Sequence, residues 1–224
     1  MRETEGKLAA IFKPSANLVA KLVLAGFAVL LISVVLLLWF GPRSDYARNV
    51  GLTFLQPVPF SHQHHVSGLG LNCRFCHTSV EASSSAGMPS TYTCMTCHSQ
   101  VWTSAGMLAP VRESLAKNKP LAWRRVTDLP DYVYFNHSIH IAKGVGCSSC
   151  HGDVAQMPLT FKAKSLTMKF CLDCHRDPGP KLRSKDKIYD THWHGGDETR
   201  SPDALLAEYR IGGRNLTDCS ICHR

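Results

Sequence analysis

The 224-residue chain has no run of five like charges and no basic helix with interleaved aromatics, although Lys+Arg number 25 against 17 Asp+Glu. Nucleic-acid binding concentrates basic side chains on one face, so the formal charge of +8 does not point to nucleic acid as a partner. Charged residues reach only 19% while hydrophobic residues make up 44%, which excludes wholesale disorder. No cysteine is left over from the pattern described below, so a conventional disulfide framework is excluded as the main organising device. Long apolar runs are missing too, with one exception.

That exception is Leu22 to Phe40, nineteen residues with no charge and only Ser33 polar. As a helix it spans about 28 Å, close to the hydrocarbon thickness of a bilayer. Gly41-Pro42 then stops it, because proline lacks the N–H and disfavours a helical residue before it. The run exceeds the core of a cleaved signal peptide and no small-x-small site follows Trp39-Phe40, so an uncleaved signal anchor is expected. Lys7, Lys13 and Lys21 precede the run and Arg43 and Arg48 follow it, so the basic count does not orient it.

All ten cysteines fall into five C-x-x-C pairs, each followed directly by histidine. The motifs are Cys73-x-x-Cys76-His77, Cys94-x-x-Cys97-His98, Cys147-x-x-Cys150-His151, Cys171-x-x-Cys174-His175 and Cys219-x-x-Cys222-His223. Two thiols three positions apart on one helical turn can form thioethers to the two vinyl groups of a haem, and the adjacent imidazole then reaches the iron as proximal ligand. Zinc sites normally consume two such pairs each, which divides badly into five and leaves the histidine unexplained. A redox dithiol needs one pair on a βαβ background. The expectation is a multihaem cytochrome c with five covalently attached haems c. Attachment occurs outside the cytoplasm, which orients the anchor: residues 1–21 cytoplasmic, 22–40 transmembrane and 41–224 a periplasmic haem domain, on a bacterial inner membrane. With so few apolar runs, the fold expected beyond the anchor is haem-packed, mostly coil and short helices, with little sheet.

An internal repeat surrounds the motifs. Phe60-Ser61-His62-Gln63-His64-His65 precedes Cys73 and Phe135-Asn136-His137-Ser138-Ile139-His140 precedes Cys147, both reading F-x-H-x-x-H. A second motif follows within each copy, suggesting two-haem modules over 60–98 and 135–175 with a fifth haem appended at 219–223. Positions i and i+3 of a helix share a face yet diverge enough to reach different neighbours. One histidine can therefore serve its own haem while the other crosses to the next. His64 has Ile139 as its counterpart and is not expected to be a ligand. For the fifth distal ligand His192, His194, Met157 and Met168 all stay open, and methionine would raise that haem's potential.

The F-x-H-x-x-H plus C-x-x-C-H arrangement resembles the small cytochromes c3 and c7. That resemblance implies His62 on haem I and His137 on haem III, with His65 and His140 crossing to other haems. Over most of its length the chain also resembles the pentahaem, membrane-anchored subunit (ActA) of bacterial alternative complex III, a quinol:acceptor oxidoreductase. The resemblance is most specific at Leu129-Pro130-Asp131-Tyr132-Val133-Tyr134-Phe135-Asn136-His137 and at Leu166-Thr167-Met168-Lys169-Phe170-Cys171. Gly87-Met88-Pro89-Ser90 matches as well, where other members carry isoleucine at Met88; Lys169-Phe170 departs from the family's Gly-Trp. It implies an electron relay without a catalytic site of its own. The implied partners are an iron–sulfur subunit, polytopic quinol-oxidising membrane subunits, a monohaem cytochrome c and membrane lipid. Two alternatives are a stand-alone quinol dehydrogenase feeding a periplasmic reductase and a small-oxyanion reductase with an open haem. The chain has no C-x-x-C-K motif of the kind used for an open substrate haem.

Overall fold

The structure, a computed structural model, describes residues 13–193, 198–213 and 215–223. The chain divides into two compact units, Met1–Arg48 and Asn49–Arg224. The first is built on α1 (Pro14–Phe40), which starts eight residues before the apolar run that predicted it. Proline occupies its first turn, where a missing N–H costs nothing, so the helix extends back to Pro14 through the polar segment. None of its described side chains is buried, and its apolar surface is continuous all round. It is the one helix among the described residues long and apolar enough to cross a membrane. At its end the Arg43 guanidinium lies 4.0 Å from the Trp39 ring centre and donates to the Trp39 carbonyl at 2.6 Å. An amphipathic pair of this kind suits a membrane–water boundary.

The second unit is mostly coil and short helices, with no strand among the described residues and only isolated bridges such as Val50–Lys162 and Val145–Leu182. Its helices are α2 (Cys73–Cys76), α3 (Thr91–His98), α4 (Ala109–Ala116), α5 (His137–Ala142), α6 (Cys147–His151), α7 (Met168–Arg176), α8 (Pro202–Glu208) and α9 (Cys219–Cys222). Helices this short are marginal by themselves and start where a side chain caps them. Asn72, Ser90, Asn136 and Thr167 each accept a bond from a backbone N–H two or three residues on, opening α2, α3, α5 and α7.

The apolar core is thin. It comprises separate clusters around Val58, Leu108 and Val111, around Val80, Ile141 and Ile188, and around Leu182, Leu205 and Tyr209. A unit of this size with so little packed side-chain core needs another apolar component to hold it together.

Candidate haem-binding sites

The five motifs are numbered sites I to V in chain order. Each sits on a helical turn: α2, the end of α3, α6, the middle of α7 and α9. At sites I and V the histidine N–H closes that turn on the carbonyl of the first cysteine, at 2.9 Å in His77 and 2.8 Å in His223. The thiols and the imidazole therefore converge on one side of a turn, the arrangement that covalent attachment plus ligation demands.

Four of the five motif imidazoles are held by one recurring device. His77 Nδ1 lies 2.8 Å from the Gly87 carbonyl, His98 Nδ1 3.3 Å from Val101 O, His175 Nδ1 2.8 Å from Leu216 O and His223 Nδ1 3.1 Å from Tyr132 O. A carbonyl oxygen can only accept, so Nδ1 carries the proton and Nε2 keeps its lone pair for a metal. Four histidines outside the motifs are held through Nδ1 as well. His65 Nδ1 donates to Ser61 O at 2.8 Å and His140 Nδ1 to Asn136 O at 2.7 Å, each to the carbonyl four residues back. His137 Nδ1 donates to Ser84 O at 2.7 Å, and His62 Nδ1 meets the Thr160 hydroxyl at 2.9 Å.

The repeat is reproduced in ring geometry. Phe60 stacks on His65 at 4.5 Å and meets His62 edge-on at 4.9 Å; Phe135 stacks on His140 at 4.4 Å and meets His137 edge-on at 4.7 Å. One phenyl ring thus sets both imidazoles of its copy. The first copy runs from His62 into a wide π-helical turn, Gln63–Gly68, whereas the second is the α-helical α5. The backbone differs and the ring triad does not.

Three histidine pairs face each other at nearly one spacing. Ring centres are 6.1 Å apart for His65–His98, 6.3 Å for His137–His151 and 6.1 Å for His140–His175. One iron between two imidazoles needs about 2 Å of metal–nitrogen bond and about 1 Å to the ring centre on each side, roughly 6 Å in all. Rings in direct van der Waals stacking would lie closer. The donor set and its spacing therefore fit haem iron.

Burial favours the neutral form of three of the imidazoles, His62, His151 and His140. It holds His62 down at about 4, helped by the neighbouring His77, His65 and His151 imidazoles, and it holds His151 down at about 4. Burial also lowers His140, partly offset by the hydrogen bond to Asn136. Neutral imidazole is the ligating form. Among the thiols, the neighbouring Cys147 draws Cys73 down to about 7, while Cys73 and burial push Cys147 up. Burial raises Cys150 to about 11.

The family profile described as cytochrome c7 and related cytochrome c matches residues 58–117 and 133–224. The chain belongs to that family. It is a multihaem cytochrome c, an electron-transport protein whose haem is attached covalently. It is also 33% identical, over 198 residues, to the menaquinone reductase multihaem cytochrome c subunit of Nitratidesulfovibrio vulgaris strain Hildenborough, covering 88% of this chain and 79% of that one.

Within this cytochrome the remaining candidates are placed differently. His64 stacks on Trp102 at 5.8 Å, and its ring nitrogens bond no carbonyl among the described residues. Met157 is 4% exposed and its carbonyl accepts from Gln63 N, whereas Met168 opens α7 at 64% exposed. His192 is tied to Asp190 through its backbone N–H. Its ring pairs with no motif histidine among the described residues, and His194 lies outside them. Sequence reasoning missed the holders of the imidazoles: Phe60 and Phe135 as ring orienters, and Ser84, Thr160, Leu216 and Tyr132 as partners of Nδ1. The recurrence of phenylalanine two before each first histidine was the only available signal.

Proposed function

We propose that this chain is a membrane-anchored pentahaem cytochrome c that relays electrons between a quinone-reactive membrane subunit and a second redox partner. The observation that carries the reading is the spacing of about 6 Å between paired imidazoles. In this assignment His62 serves site I beside His77, His65 serves site II, His137 serves site III and His140 serves site IV. The ten motif cysteines hold the five haems, and bound haem supplies one-electron chemistry. At sites I to IV the protein's part would be to present an imidazole from each side, which would leave a substrate no open iron position there. The fifth distal ligand falls among Met157, Met168, His192 and His194.

The finer assignment is to alternative complex III. There the electrons come from quinol oxidation through an iron–sulfur subunit and leave to a monohaem cytochrome or a periplasmic acceptor, with α1 as the single-pass anchor and the haem domain periplasmic. A second reading runs the same relay in reverse. It is favoured by the similarity to the menaquinone reductase subunit, whose name implies delivery of electrons to menaquinone.

Purification of the native protein from membranes in mild detergent tests both. Co-purification with a polytopic subunit and an iron–sulfur subunit is expected. Quinol that reduces the haems of that complex supports the first direction. Chemically reduced haems that are oxidised by menaquinone, with no reduction by quinol, support the second. A lone protein that oxidises quinol, or a high-spin signal that shifts with nitrite, overturns the relay reading.

A further inference from the structure

The five motifs do not succeed one another in space in the order of the chain. From the hydrogen bonds between the two repeats we infer that the sites form a single line in the order II–I–III–IV–V, so that sites II and V are the ends and the first motif lies inside. This ordering rests on the pentahaem relay proposed above.

The join between the modules decides it. His137, from the second module, is held by the loop that follows site I, through both its backbone N–H and its Nδ1 bonded to Ser84 O at 3.1 and 2.7 Å. The same loop holds His77 through Gly87 O. Reciprocally, His62 of the first module is held by Thr160, in the segment that follows site III. Adjacent bonds repeat the exchange: Ser138 N donates to Ser83 O, while Gln63 N donates to Met157 O and Ser67 Oγ to Ala155 O. Each module thus embraces the first histidine of the other, an approximate two-fold arrangement. A two-fold of this kind puts sites I and III against its axis and sites II and IV on the outside. Cys73 and Cys147 accordingly line one small cavity together with Tyr189.

Outward from that axis the links are short. His62 and His65 leave the same turn after Phe60, and His65 faces His98 of site II. His137 and His140 leave α5 one turn apart, facing His151 of site III and His175 of site IV. Site V joins on the far side. His175 Nδ1 is bonded to Leu216 O, three residues before Cys219, and Tyr134 N donates to Cys222 O. His223 stacks on Tyr132 at 5.8 Å, just ahead of the phenylalanine that orients His140.

Electron transfer falls steeply with distance, so the consequence is functional. Electrons enter or leave at sites II and V, and every electron crossing the protein passes from I to III. Two-dimensional proton NMR of the detergent-solubilised, fully reduced full-length holoprotein tests the order without any turnover. Thioether and ring-methyl protons assigned to each haem are expected to show through-space cross-peaks for the pairs I–II, I–III, III–IV and IV–V. Cross-peaks linking V to I or II, or II to III, together with none between I and III, overturn the order. The relay reading survives that result, because the imidazole spacing that carries it holds whatever the order of the sites, and its own test is co-purification and quinone reactivity.

Discussion

At the scale of single residues, the assignment separates His140 from His64, which lie in the same repeat frame. His140 is half-buried, faces His175 and has its Nδ1 engaged; His64 is exposed and leans on an indole ring. Replacing His140 with alanine should therefore convert one haem of the holoprotein from low-spin to high-spin, and added imidazole should reverse it. His64→Ala should leave the spectrum unchanged. Electron paramagnetic resonance of the oxidised protein reads both, and equal effects of the two substitutions would remove the basis for the pairing. The histidines also set an acid limit. His62 and His151 sit near 4 in the folded chain against an ordinary 6.5. Between those values the unfolded chain binds protons that the folded one refuses, so stability falls as pH drops through that window. Iron bound at Nε2 blocks protonation in the native state and preserves the sign. Thermal melts of the holoprotein should move to lower temperature from pH 7 to pH 4.5, and an unchanged melt would contradict the burial of these rings.

At the scale of elements, short helices carry the five motif turns, and each depends on its start. In α5 the Asn136 side chain caps Ile139 N while the Asn136 carbonyl holds His140 Nδ1, so one residue fixes both the helix and a ligand. Removing the side chain leaves the carbonyl in place. Asn136→Ala should cost about 1 kcal/mol of stability, seen in chemical denaturation, with the low-spin spectrum retained. Spectral change at normal stability would mean that the cap acts on the haem site instead. These elements also mark what could be read in the sequence. Thioether attachment requires two thiols and a histidine within five consecutive positions, so Cys73 to His77 and its four counterparts announce themselves. The F-x-H-x-x-H copies were legible for the same reason. Their backbones were not, since His62–His65 and His137–His140 have identical spacing yet one enters a π-helical turn and the other an α-helix. The Nδ1 partners Ser84 and Thr160 were out of reach because they lie 53 and 98 positions from the histidines they hold.

At the scale of the whole molecule, the charge of the polypeptide is not the charge of the protein. The chain carries +8 and an isoelectric point near 9.0. With haem at all five motifs, as proposed above, ten propionates bring about −10 when ionised as carboxylic acids are at neutral pH. Each porphyrin–iron unit adds nothing when ferrous and one positive charge when ferric. The holoprotein then stands near −2 fully reduced and near +3 fully oxidised, on the order of the charges given by the chain and its carboxylates. Basic side chains become counter-charges for propionates, a pairing for which arginine is suited. The buried Arg183 is a different case. It is 1% exposed, packed on Trp193 and bonded to Ser148 Oγ behind site III, where Gly146 leaves it room. It acts as part of the packing and is no free surface cation. The remaining balance is close enough to neutrality that the redox state decides its sign. Electrophoresis of the detergent-solubilised holoprotein at pH 7 in a non-ionic detergent should show migration toward the cathode with ferricyanide and toward the anode with dithionite. Cathodic migration in both states would mean fewer than ten ionised propionates, either because fewer haems are attached or because some propionates stay protonated in the folded protein.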